Sequence, residues 1–178
     1  MMDLAEGLFR HIAHEVCGTG VINYQGKEID LETLWARLTM AEAVKLHAGV
    51  DYYSWQTDDD ARKALDGLDV HYEANASRGD CLVLLFEAFV EDKLIQPTFV
   101  LDYPVENSPL AKRKASEPQL TERFELFING IEYGNAFSEL NDPIDQRERF
   151  VRQVRERRAQ GGTNARVDED YVTALEYG

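Results

Sequence analysis

The sequence predicts an α+β fold, in which amphipathic helices and tight hairpins follow one another without regular strand–helix–strand alternation. Three observations carry this. Leu4, Leu8, Ile12 and Val16, with Phe9 and Ala13 beside them, recur at helical spacing. Leu82 to Leu94 is a long apolar stretch of helical length. Asn129-Gly130 separates two short apolar-rich runs, and this dipeptide is the strongest two-residue hairpin signal because both residues tolerate positive φ. At 178 residues the chain can bury one sizeable core, with room for a small appendage.

Taken in order, Asp3 to Val16 predicts a first helix that stops at Gly18. Gly20 to Leu31 alternates around Gln25-Gly26 and predicts a short hairpin. Thr39-Met40-Ala41-Glu42 is a capping box followed by the apolar positions Ala43, Val44 and Leu46. Thr57-Asp58-Asp59-Asp60 opens another helix with acids where the helix dipole favours them. The apolar helix from Leu82 follows Gly79, and Thr98 to Leu101 reads as a buried strand. Arg123 to Ile128 and Ile131 to Phe137 form the arms of the Asn129-Gly130 hairpin. Asp142-Pro143 is an N-cap and first-turn pair whose helix runs to about Ala159. Gln160 to Asn164 reads as a loop, and Asp168 opens a last helix that ends at Gly178.

Composition excludes several classes. A net charge of −14 argues against a general nucleic-acid binder, because phosphate affinity needs clustered Lys and Arg. It fits recognition of cations, a magnesium–nucleotide or an amine. No apolar run approaches the roughly 20 residues that span a bilayer. Met1-Met2-Asp3-Leu4 offers neither a basic leader nor an apolar signal core, so export is not expected. Cys17 and Cys81 lack CxxC spacing and read as buried free thiols.

The densest chemistry runs from Arg123 to Glu139. A two-residue turn pairs Ile128 with Ile131, and a regular ladder then pairs Glu125 with Gly134. Glu132 becomes a diagonal neighbour of Glu125 on one face, roughly 7–8 Å away. Two carboxylates so placed can share a divalent cation, and oxygen-only ligands suit magnesium, which keeps waters and takes substrate phosphates. Spacing alone favours a solvent face for both acids. Asn135, Phe137 and Glu139 share a face with one another, opposite to Glu132 unless β-bulged, and Gly134 is where a bulge could form.

The same residues resemble a known family. Phe124-Glu125-Leu126-Phe127, Gly130-Ile131-Glu132 and the run Asn135 to Asp142 are similar to bacterial class II lysyl-tRNA synthetases. So are Leu94 to Phe99, Tyr103-Pro104, Ser108 to Ala111 and Asp168 to Gly178. The likeness covers nearly the whole chain and thins over about 35–78. It implies an antiparallel-sheet catalytic domain lying between the family's second and third motifs. Residues 1–178 would be a partial catalytic domain, with a helical insertion at about 39–94 and the active-site acids at about 95–178. It further implies ATP-dependent activation of lysine to an adenylate and transfer to tRNA(Lys), by a homodimeric cytoplasmic parent. Carried over, Glu125 and Glu132 would hold the magnesium that bridges ATP phosphates. Asn135, Phe137 and Glu139 would form the lysine pocket, with Asn135 on the carboxylate and Glu139 on the ε-ammonium. The arginine-bearing motifs that bind ATP are not in these residues, so the chain alone is expected to be catalytically incomplete. The competing reading is a free-standing lysine-binding or partner-binding module; a lysine-transferring enzyme acting on a protein or lipid is less favoured.

Other residues read more plainly. His11 and His14 lie beside the apolar stripe and read as solvated rather than zinc-binding. Tyr52, Tyr53 and Trp55 read as helix packing. Arg147, Arg149, Arg152, Arg155, Arg157 and Arg158 read as a solvated helix face, with Glu148 placed to pair with Arg152. Lys112-Arg113-Lys114 reads as a mobile loop bordering the active site.

Overall fold

The computed structural model describes residues 1–159, 161–163 and 166–178. A four-stranded sheet is its frame, in the order β3 (Ala36–Thr39), β4 (Thr98–Leu101), β5 (Arg123–Ile128), β6 (Ile131–Phe137). β4, β5 and β6 are antiparallel, as expected, whereas β3 runs parallel to β4. β3 is absent from the sequence expectations. Ala-Arg-Leu-Thr alternates but is only four residues long, too short a signal to stand out, and becomes a strand through its pairing with β4.

Parallel neighbours need a crossover, and residues 40–93 supply it. It contains α2 (Met40–Ala48), α3 (Asp58–Asp66) and α4 (Arg78–Phe89). Each helix opens with a capping box: Thr39 with Glu42, Thr57 with Asp60, Ser77 with Asp80. The Ser77 box starts α4 four residues before the expected Leu82, and Val90 ends it, leaving a short 3-10 turn at Glu91–Lys93. Met40, Val44, Leu65, Leu82, Leu85 and Phe86 pack with Val100 and Phe127 on one face of the sheet. Each such side chain contributes about 1.5–3 kcal/mol by leaving water. Tyr52 and Trp55 join this core, while Tyr53 is exposed and donates its hydroxyl to Glu117.

The opposite face holds Phe99, Leu126 and Ile128. α1 (Met2–Cys17) and the hairpin β1 (Val21–Tyr24)–β2 (Lys27–Asp30) cover it with Ala13, Ile29, Leu31 and Trp35. Gln25 and Gly26 take the positive φ of the expected turn. The orientation of α1 corrects the expectation. Phe9 and Ala13 face the sheet, with Phe9 wedged between Trp35 and Tyr133, and Leu4, Leu8, Ile12 and Val16 point outward. The helix carries two apolar faces, and the aromatic one fits the aromatic sheet surface. His14 Nε2 lies 2.7 Å from Glu32 Oε2. Cys17 is exposed at the helix end, so only Cys81 is buried.

α5 (Pro143–Ala159) and α6 (Glu169–Tyr177) pack through Phe150 and Tyr171. Asp142 and Asp168 cap them as expected. Arg149 is not solvated: it is 2% exposed, grips Asp145 with two nitrogens and donates to the carbonyls of Ser108 and Ala111. Arg152 lies 3.8 Å from Glu156 rather than pairing with Glu148. The Lys112–Lys114 stretch is tied down, Arg113 by Asp145 and Lys114 by Asp102. Of the expected Gln160–Asn164 loop, Gln160 and Asn164 lie outside the described residues. No helix among the described residues is long and apolar enough to cross a membrane.

Candidate functional site

The hairpin turn forms as the sequence predicts, with Asn129 and Gly130 at φ of 57° and 71°. From it the ladder pairs Ile128 with Ile131 and Phe127 with Glu132, then shifts, so that Leu126 meets Gly134 and Glu125 meets Asn135. Tyr133 is the extra residue of a β-bulge, one position before the glycine that marked it in the sequence. The expected pairing of Glu125 with Gly134 is therefore corrected by one residue. Opposed residues of an antiparallel pair share a face. Arg123, Glu125 and Phe127 on β5 thus face the same way as Glu132, Asn135 and Phe137 on β6. Tyr133 goes to the other side, against Phe9 and Tyr24.

On the helical side this face opens into a hollow of about 320 Å³. Glu125 and Glu132 line it together with Tyr103 and Arg123, and α4 with the turn after it adds Glu87 and Glu91. Glu125 is 8% exposed and held at both oxygens. The Tyr103 hydroxyl donates to Oε2 at 2.7 Å, and Arg123 donates to Oε1. Arg123 also lies over the Tyr103 ring, 4.6 Å from its centroid.

The charge balance of the hollow is acidic. Glu132 is pushed above the ordinary carboxylate range by burial and by the negative charge of Glu125, with Arg123 opposing. Glu91 is raised as well, by burial and then by Glu87, Asp92, Glu125 and Glu132. Burial and Glu125 push the Tyr103 hydroxyl far up, so it remains a donor. Four carboxylates against one guanidinium suit a bound cation, which would relieve the repulsion.

Of the residues singled out in the sequence, Glu125 and Glu132 therefore meet in one hollow. Asn135 is exposed on the same face and its Oδ1 accepts from Arg123 Nε at 3.2 Å. Phe137, half-buried opposite Arg123, and Glu139 lie beyond the hollow. Glu139 bridges to Ala111, where Ser138 accepts from the Lys112 amide. It is exposed, and among the described residues its carboxylate has no hydrogen-bond or ionic partner. Arg123, Glu87 and Glu91 were missed. Arg123 stands two residues before Glu125, so strand periodicity could have flagged it. Glu87 and Glu91 come near the hairpin only through tertiary packing.

Comparison with known proteins gives the family of the whole chain. The profile of the tRNA synthetases class II (D, K and N) family matches residues 1–178. Lysine–tRNA ligase of Pelotomaculum thermopropionicum is 53% identical over 180 aligned residues, which are all of this chain and 36% of that protein. The lysine–tRNA ligases of Moorella thermoacetica and Latilactobacillus sakei are 53% and 51% identical, again over the whole chain. The chain thus spans about a third of the length of these relatives. With a profile match from end to end, the chain belongs to the class II tRNA synthetase family that comprises the D, K and N enzymes.

Proposed function

We propose that this chain is the part of a lysine–tRNA ligase that holds magnesium–ATP and the lysine substrate. The observation that carries the reading is the bulge at Tyr133, which turns Glu125, Glu132 and Asn135 onto one sheet face. Relatives called lysine–tRNA ligases that cover every residue support it. In this reading residues 39–94 are a helical insertion whose acids Glu87 and Glu91 border the nucleotide. The parent works with lysine, ATP and tRNA(Lys), as a homodimer in the cytoplasm.

Magnesium fits the residues present. Among the described residues no group of three or more His, Cys, Asp or Glu forms a metal site. Two carboxylates are nonetheless what magnesium takes from a protein when waters and phosphates complete its shell. Glu132, raised by burial and then by Glu125, is a carboxylate whose charge a cation would stabilise. A magnesium ion held by Glu125 and Glu132 would supply charge neutralisation at the ATP phosphates. The chain's own work is positional. Tyr103 and Arg123 fix Glu125. Asn135 donates to the lysine carboxylate, Phe137 packs along the pocket, and Glu139 takes the ε-ammonium in a charge-assisted bond that a neutral side chain cannot make.

The test is ATP–pyrophosphate exchange by the full-length protein, driven by each amino acid in turn. Exchange with lysine and not with aspartate or asparagine is expected. Exchange driven by another amino acid, or by none, would overturn the assignment.

A further inference from the structure

Arg123 has more partners than a single ion pair requires. Its side chain is 15% exposed. Nη2 donates to Glu125 and Nε to Asn135 Oδ1, while Nη1 donates to the Asn107 carbonyl and to Ser108 Oγ, each at 2.9 Å. Its flat face lies on Tyr103. The guanidinium plane is therefore fixed from one side by an aromatic ring and at its edges by four acceptors.

A guanidinium has donors and no acceptor. The carboxamide of Asn135 must then turn its oxygen to Arg123, which leaves Nδ2 and its two N–H groups directed away. Without Arg123 the amide could rotate and offer an acceptor instead. The same group clamps Glu125, so one side chain sets both the metal-facing acid and the amide beside it.

We propose that Arg123 is a positioning residue for amino-acid recognition: it selects the orientation in which Asn135 presents donors to the substrate carboxylate. This rests on the reading of Asn135 as a lysine-pocket residue. Lysine at position 123 would keep the charge yet lose the fork that reaches Asn135, Glu125 and Ser108 together.

The experiment compares lysine KM and kcat in pyrophosphate exchange for the full-length protein with Arg123→Lys, Asn135→Ala, Asn135→Asp and the double variant Arg123→Lys/Asn135→Ala. Arg123→Lys and Asn135→Ala are each expected to raise the lysine KM about tenfold, and the double variant no further than Asn135→Ala alone. Multiplying losses in the double variant, near a hundredfold, or an unchanged KM in Arg123→Lys, would overturn the positioning role. An unchanged KM in Asn135→Ala would instead remove Asn135 from the pocket, and the inference with it. Asn135→Asp keeps the guanidinium paired but has no donor, and it should bind lysine more weakly than Asn135→Ala. This comparison stands even if Arg123→Lys does not fold. Tighter binding by Asn135→Asp than by Asn135→Ala would show that donors at 135 are not used.

Discussion

Glu125 stands directly opposite Asn135 across β5 and β6, and Arg123 joins them by donating to both. This pairing exists because Tyr133 is an extra residue on β6. A regular ladder would have sent Glu132 and Asn135 to opposite faces. The bulge brings Glu125, Glu132 and Asn135 onto one face, with both acids in the hollow.

Burial of Glu132 and its repulsion by Glu125 have a consequence for the stability of the protein without a bound cation. The folded-state pKa of Glu132 lies above its ordinary value of 4.5, so the folded protein holds this proton more tightly than the unfolded chain. Charged Glu132 therefore opposes folding at neutral pH, and the penalty fades as pH falls through the raised pKa toward 4.5. Glu132→Gln is expected to melt higher than the parent at pH 7 in chelator, with the gap narrowing toward pH 4.5. Equal melting temperatures at pH 7 would mean that neither burial nor Glu125 disfavours the charged form of Glu132.

Asp145 behaves in the opposite sense. Hydrogen bonds from Arg149 and Arg113 hold its carboxyl well below its ordinary 3.8. A depressed folded-state pKa contributes stability above the ordinary value that is lost on further acidification. Asp145→Ala leaves Arg149 buried without its counter-charge, which is expected to cost about 3–5 kcal/mol at pH 7. Denaturant unfolding at pH 7 and pH 3 checks this: the difference between parent and variant should shrink in acid.

Thiol chemistry separates the two cysteines. Cys17 is exposed, whereas burial pushes the Cys81 thiol up to about 11. An aromatic disulfide reagent should titrate one thiol in the native protein and two in denaturant. Rapid native reaction of both would mean that the core around α4 opens readily.

Glu139 is exposed and, among the described residues, its carboxylate has no partner, which leaves it free for the ε-ammonium in the proposed lysine pocket. In the full-length protein, Glu139→Gln should abolish lysine-dependent pyrophosphate exchange while sparing ATP binding. Near-normal exchange would remove Glu139 from the lysine pocket.

Much of this was legible locally. The capping box at Thr39, the helix start at Thr57, the Gln25-Gly26 and Asn129-Gly130 turns and the Asp142 and Asp168 caps are short-range chemistry, and each forms where the residues predict. The bulge was legible as a need, since Gly134 marked the region, but its register was off by one because Tyr133 packs against Phe9 of α1 and Tyr24 of β1, tertiary contacts that local spacing does not show. β3 was invisible because its pairing partner lies about sixty residues away. The outward turn of Leu4, Leu8, Ile12 and Val16 was also hidden, because a helix with two apolar faces does not announce which one the sheet will take. Buried Arg149 misled for the same reason: six arginines on one helix look alike until a carboxylate and two carbonyls select one.

The central claim is that Glu125 and Glu132 serve the nucleotide's cation and not the amino acid. Its most direct test is the pair of KM values for magnesium–ATP and lysine in Glu132→Ala of the full-length protein. A rise of about tenfold or more for magnesium–ATP, with lysine changed less than about twofold, is the predicted result. Equal loss of both would contradict the claim and point to a damaged hairpin.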